Sequence, residues 1–165
     1  MSDFNLTSFW KNDDIAGKEY VGATITQEMI LSVQKRLGFR LPPTYIELLR
    51  IQNGGIPKKN HYQTSQPTSW AQDHIAITGI FGLDHSKALS LCGELGSEYW
   101  KKEWGYPDIG IYFADCPSAG HDLLCFDYRN CLSDAEPKVV HVDQELNYKI
   151  TLISDDFETF ICGLK

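Results

Sequence analysis

The stretch Leu41–Gly55, reading LPPTYIELLRIQNGG, constrains this chain more than any other. Two prolines open it, and proline is tolerated in the first helical turn because its missing N–H would be unpaired there anyway. Tyr45, Leu48 and Leu49 then fall at i, i+3 and i+4 and make one apolar stripe. Asn53, Gly54 or Gly55 can take the left-handed conformation that ends a helix. The spacing therefore predicts a short amphipathic helix with both ends defined.

A second helix is predicted just upstream. Thr26 is a good N-cap, and Met29, Ile30, Val33 and Leu37 form an apolar face that Gly38 terminates. The two helices should pack on each other or on one face of a sheet. Before them, residues 3–10 read as a short helix that packs Phe9 and Trp10 against the body. Residues 20–22 read as a connector.

Residues 56–74 lose all periodicity and are rich in polar and turn-forming side chains. A structureless stretch of this length in a compact domain is unusual and is often functional. Tyr62 and Trp70 lie in it. They read either as binding anchors or as aromatics folded back to cap the core.

Residues 75–83 read as a strand with glycine breaks. Residues 86–104 have helical character, weakened at Gly93 and Gly96. Strands are predicted at 109–114, 122–128 and 138–142, with a fourth strand or extended lead-in at 148–153. The turn-rich residues 115–121 suggest a hairpin. Phe157, Phe160, Ile161 and Leu164 follow i, i+3, i+4, i+7, which is a helical face, and Asp155 reads as its N-cap.

This order predicts an α+β fold in a single domain spanning residues 1–165. A mainly antiparallel sheet should carry helices packed mostly on one face. The length of 165 residues can bury a sizeable core without disulfides or metals. Five cysteines without regular spacing, and no secretory leader at the N-terminus, lead to the expectation of a reducing cytoplasm. Cys125 and Cys162 sit among apolar neighbours and read as small core residues. No apolar run of about 18 residues is present, so no membrane span is expected.

Charge is unevenly spread. Residues 1–60 carry 8 basic and 6 acidic side chains, whereas residues 61–165 carry 7 and 16. An acidic C-terminal part disfavours nucleic acid and favours a basic protein partner. It is equally what simple solubility requires.

The order of motifs resembles the SUKH superfamily, the group that contains the fungal Smi/Knr cell-wall regulators. The residues that carry the resemblance are Leu41, Pro42, Tyr45, Asn53, Gly54 and Gly55. Ala114-Asp115, Gly120, Phe126-Asp127 and Val139 continue it, and Phe157 with Phe160 close it. The motif-bearing core runs from about residue 26 to residue 164. Most of these residues read as scaffold. The resemblance implies a non-catalytic binding module. Bacterial members are regarded as immunity proteins that neutralise polymorphic toxins, often nucleases, and fungal members as regulators of the cell wall and signalling.

Catalysis requires a convergent set of reactive groups. No P-loop, H-E-x-x-H, G-x-S-x-G or G-x-G-x-x-G is present. The best chemical cluster is Asp115, Cys116, His121 and Asp122 on one loop. Cys116 with His121 or His141 could act as nucleophile and base, and Asp115, His121 and Asp122 could ligate a metal. The plainer reading has both aspartates satisfying turn N–H groups with His121 exposed. His141 and Asp143 alternate on one strand and share a face. Asp134, Glu136, Asp143 and Glu145 cluster near strand ends, as a steering surface for a basic toxin or as a solvated rim.

The expectation is therefore an immunity protein that binds a basic toxin domain, with no catalytic residue, metal or cofactor. Its partner-binding residues are expected among Tyr62, Trp70, Asp115, His121, Asp122, Asp134, Glu136, Asp143 and Glu145. A fungal-type regulatory scaffold is the first alternative. A hydrolase or metal-dependent enzyme built on the 115–122 loop is the second. Nothing in the sequence specifies an oligomeric state.

Overall fold

Thr26 caps the helix that follows it: its hydroxyl accepts the Met29 N–H at 3.1 Å, and Gly38 ends the helix at φ 79°. The computed structural model of the protein describes residues 5–12, 14–132 and 135–165. Its helices are α1 (Asp14–Tyr20), α2 (Gln27–Leu37), α3 (Pro43–Ile51), α4 (Ser97–Trp104) and α5 (Phe157–Gly163). Its strands are β1 (His61–Gln63), β2 (His74–Ala76), β3 (Gly79–Ile80), β4 (Gly110–Asp115), β5 (Asp122–Asp127), β6 (Lys138–Asp143) and β7 (Lys149–Ser154). Strands β3-β4-β5-β6-β7 form one antiparallel sheet in chain order, and β1 pairs with β2 in a separate ribbon. The fold is α+β.

Strands β4, β5 and β6 are buried on both faces, which explains their near-continuous apolar sequences. Alternate residues serve two separate cores. Ile111, Phe113, Leu124, Phe126 and Val139 face the larger core, with residues from α2, α3 and α5. Its centre is aromatic. Phe113 stacks on Phe126 with ring centroids 4.0 Å apart, and Tyr45 meets Phe126 and Phe157 edge-on at 5.3 Å each. Tyr112, Leu123, Cys125, Val140 and Val142 face the other way. There they meet Trp100 of α4, Tyr106 and Ile109. The Ser97 hydroxyl at the start of α4 accepts the Tyr112 N–H at 2.9 Å and seats that helix on β4.

The Asn-Gly-Gly turn is a strap between layers. α3 ends at an extended Gln52 (φ −153°), so the left-handed residue comes later, at Gly54 (φ 88°). A Cβ there would lie 2.7 Å from the Tyr20 carbonyl oxygen and 2.8 Å from the Gly82 nitrogen. Gly55 then exchanges hydrogen bonds with Ile80 at 3.0 and 2.8 Å.

Several expectations are corrected. α1 precedes the predicted connector; its Ile15 is exposed and Gly17 interrupts it, so no apolar stripe announced it. The 56–74 segment contains β1, three residues with little burial. The strand predicted at 75–83 is two strands in two sheets. In the 86–104 segment only Ser97–Trp104 is α-helical. A Cβ on Gly93 would lie 2.1 Å from the Lys87 carbonyl oxygen, so the preceding turns fold back on themselves. The final helix is capped by Asp156, which accepts the Thr159 N–H at 2.7 Å, one residue later than Asp155. Cys162 lies on the outer side of that helix and is exposed. The short helix predicted at 3–10 is a 3-10 turn at Leu6–Ser8, with Phe9 and Trp10 buried; residues 3 and 4 lie outside the described residues.

Candidate functional site

Antiparallel register gathers polar side chains at the end of the sheet where β4 leaves, β5 begins and β6 ends. Asp122 pairs with Asp143, and Leu124 with His141. Asp122 and His141 are therefore diagonal neighbours on the face that also holds Leu124, Phe126 and Val139. Both are fully buried. The His141 Nε2 lies 2.8 Å from an Asp122 carboxylate oxygen. The other Asp122 oxygen accepts the Ser118 hydroxyl, and the Asp122 N–H donates back to that hydroxyl at 3.0 Å. His141 Nδ1 is buried and has no hydrogen-bond partner. Cys116, the first residue after β4, is buried against the same carboxylate.

Asp115 and Asp143 are wired into neighbouring segments. Asp115 accepts the Tyr20 hydroxyl at 2.9 Å and the Gly79 N–H at 3.1 Å. Burial pushes its carboxyl up to about 6 against these bonds. Asp143 accepts both the N–H and the hydroxyl of Ser69, at 2.8 and 2.6 Å, and so ties the 64–73 loop to β6. Burial, reinforced by Asp122, Asp115 and Asp143, raises the Cys116 thiol well above its ordinary range. A nucleophilic cysteine needs the opposite environment. The imidazole of His141 is also directed at Asp122.

Outside this buried cluster lies an exposed rim. Trp70, next to the tethered Ser69, is 44 % exposed, and Leu146 is 45 % exposed. His121 sits 2.6 Å from Glu145 and 3.0 Å from the Gln144 side-chain oxygen, and its ring meets Trp104 edge-on at 5.4 Å. The left-handed Gly120 (φ 95°) lets the loop approach α4. A Cβ there would lie 2.5 Å from the Trp100 ring, and the Tyr106 hydroxyl donates to its carbonyl at 2.6 Å.

The expected site residues thus separate. His121 and Glu145 touch on the outside, and Trp70 is exposed beside the tethered Ser69. Asp115, Asp122 and Asp143 are spent on internal hydrogen bonds. Tyr62 stacks on Phe160 with centroids 5.5 Å apart and caps the core. Glu136 lies elsewhere, among Asp156 and Glu158, and burial raises its carboxyl first, with those two charges adding. Asp134 lies outside the described residues. Sequence reasoning missed Ser69, Ser118, Trp104, Gln144 and Leu146. Their roles depend on pairing across loops distant in sequence. The parity of Asp122 with Leu124 and Phe126 was the one available signal that this aspartate faces inward.

The model of the SMI1 / KNR4 family (SUKH-1) matches residues 24–163. The chain belongs to that family. The match spans the sheet from β3 to β7 and all but the N-terminal helix α1. It includes the Leu-Pro opening of α3, the Asn-Gly-Gly strap and the aromatic face of α5. No curated protein matches the chain. Membership in the SMI1 / KNR4 family points in general to protein–protein interaction, and immunity-type proteins are among its kinds. Among the described residues, no helix is long and apolar enough to cross a membrane.

Proposed function

We propose that this SMI1 / KNR4 domain acts by stoichiometric binding, as an immunity protein that occludes the active site of a cognate toxin. The observation that carries this reading is the division at the loop end of the sheet. Of the groups that could do chemistry, Cys116, Asp122 and His141 are buried with His141 held against Asp122, and the half-buried Asp115 is taken up by Tyr20 and Gly79. Trp70, Leu146, His121 and Glu145 are what a partner would meet. A partly exposed tryptophan held by a tethered loop is a suitable anchor, since such aromatics dominate interface energies. The acidic excess of residues 61–165 would speed encounter with a basic partner. The larger core draws on residues from Leu6 to Leu164, which supports reading residues 1–165 as one domain, and the five free cysteines fit a reducing cytoplasm.

The test is co-expression with the toxin encoded beside this chain, followed by co-purification at low and high salt. Protection, with a one-to-one complex weakened by salt, supports the reading. Failure to bind or protect overturns it, and many weak partners would indicate a regulatory scaffold instead.

A further inference from the structure

Three adjacent strands place three chemically different ligand groups at one point. Cys116 follows β4, Asp122 opens β5 and His141 lies in β6. One ligand atom from each lies within 4.8 Å of the others, and all three residues are buried. Zinc bonds of about 2.0–2.3 Å imply ligand atoms about 3.3–3.7 Å apart in a tetrahedron. The His141–Asp122 contact of 2.8 Å is shorter than that, and all three ligand atoms lie within 4.8 Å of one another, so small side-chain shifts would reach it.

The surroundings favour a cation. Asp122 is a fully buried carboxylate, a rare state, and the side chains it meets are the Ser118 hydroxyl and the His141 imidazole. A metal on Nε2 would replace the hydrogen bond to Asp122 and move the imidazole proton to Nδ1, which is buried without a partner here. The Ser118 hydroxyl already holds Asp122 from behind, as outer partners of metal-ligating carboxylates do.

We propose that Cys116, Asp122 and His141 bind a divalent transition-metal ion of the zinc class, with one position left for solvent or a fourth group. Binding forms a sulfur–metal bond and releases the thiol proton to water. The site is independent of the partner reading, and it departs from the sequence expectation of no metal. Thiolate, imidazole and carboxylate together select zinc or cobalt over magnesium or calcium. The site is enclosed, so the ion loads as the chain folds.

The test refolds the full chain, without a histidine tag, in the presence of cobalt(II), removes free metal, and records absorption and metal content. The expected result is one cobalt per chain. A thiolate-to-cobalt charge-transfer band should persist when Cys92, Cys131 and Cys162 are all replaced by serine. Cys116→Ala should abolish that band and lower cobalt affinity at least tenfold. Should Cys116→Ala fail to fold, Cys116→Ser and the triple serine variant decide the question. His61→Ala controls for the His61–His74 pair, whose rings lie 5.1 Å apart, and should leave the band unchanged. Absence of stoichiometric cobalt in the unmodified chain overturns the proposal. So does a band that survives loss of Cys116.

Discussion

The Leu83 main-chain N–H donates to the side-chain oxygen of Asn53 at 2.7 Å. The Asn53 amide in turn donates to the Ala23 carbonyl at 2.7 Å. One buried side chain thus joins the lead-in to α2, the end of α3 and the segment after β3. Asn53→Ala removes both bonds and strands two polar main-chain groups, so it should cost about 2–4 kcal/mol. Asn53→Asp keeps the acceptor but sets a carboxylate against the Ala23 carbonyl, and it should destabilise as well. Urea denaturation measures both. Wild-type stability in either variant would deny the strap this role.

Ser69 and Asp143 make the corresponding tie for the 64–73 loop. Ser69→Ala deletes one hydrogen bond to a buried carboxylate and should cost roughly 1.5–3 kcal/mol. Faster amide hydrogen exchange should appear in residues 64–73 before it appears in β4 or β5. Unchanged loop exchange would show that something else holds the loop.

The two aromatics of the 56–74 segment should behave in opposite ways. Trp70→Ala should leave stability within about 0.5 kcal/mol, as exposed sites do. It should weaken the toxin complex tenfold or more, as loss of an anchor would. Tyr62→Ala should cost about 1–3 kcal/mol by removing its stack on Phe160 and leave affinity unchanged. Calorimetry of binding together with thermal melts separates the two. Glu145→Lys should slow association at low salt and lose that effect at high salt.

At the last helix, Asp156→Ala should cost about 1 kcal/mol because it removes the cap on Thr159 N–H. Asp155→Ala should be near neutral. Equal effects from the two substitutions would place the cap elsewhere.

Glu136 supplies a pH test. Its carboxyl is raised by burial and then by Asp156 and Glu158, so the folded chain holds that proton more tightly than the unfolded chain. The stability this contributes is present below the ordinary glutamate range and is lost as pH rises through the folded value. Glu136→Gln should therefore be more stable than the parent at pH 7 and indistinguishable from it below about pH 4. Urea midpoints at the two pH values decide it.

Much of this architecture was readable from local chemistry. Thr26 and Gly38 bound α2 as expected, and the β-branched and aromatic runs of β4, β5 and β6 declared strands. Which face each residue serves was not readable. Strands buried on both sides carry no alternation, so Tyr112 and Phe113, or Cys125 and Phe126, look equivalent in sequence while facing opposite cores. The same lack of contrast hid the buried polar cluster. A polar residue in a strand reads as solvent-facing, and only the β5–β6 register brings Asp122 under His141. The rim was half legible. Trp70 and His121 stood out as residue types, whereas Ser69 and Leu146 gave no sign of where the chain would return.

Because the two cores lie on opposite faces of one sheet, they share main chain but not side-chain contacts. Destabilising changes made one on each side, such as Phe126→Leu with Trp100→Leu, should then combine as independent free energies, whereas two changes within either core should not. The domain behaves energetically as two interiors bound to a common spine, and the α4 side can be rewritten without renegotiating the aromatic centre built on Tyr45, Phe113 and Phe157.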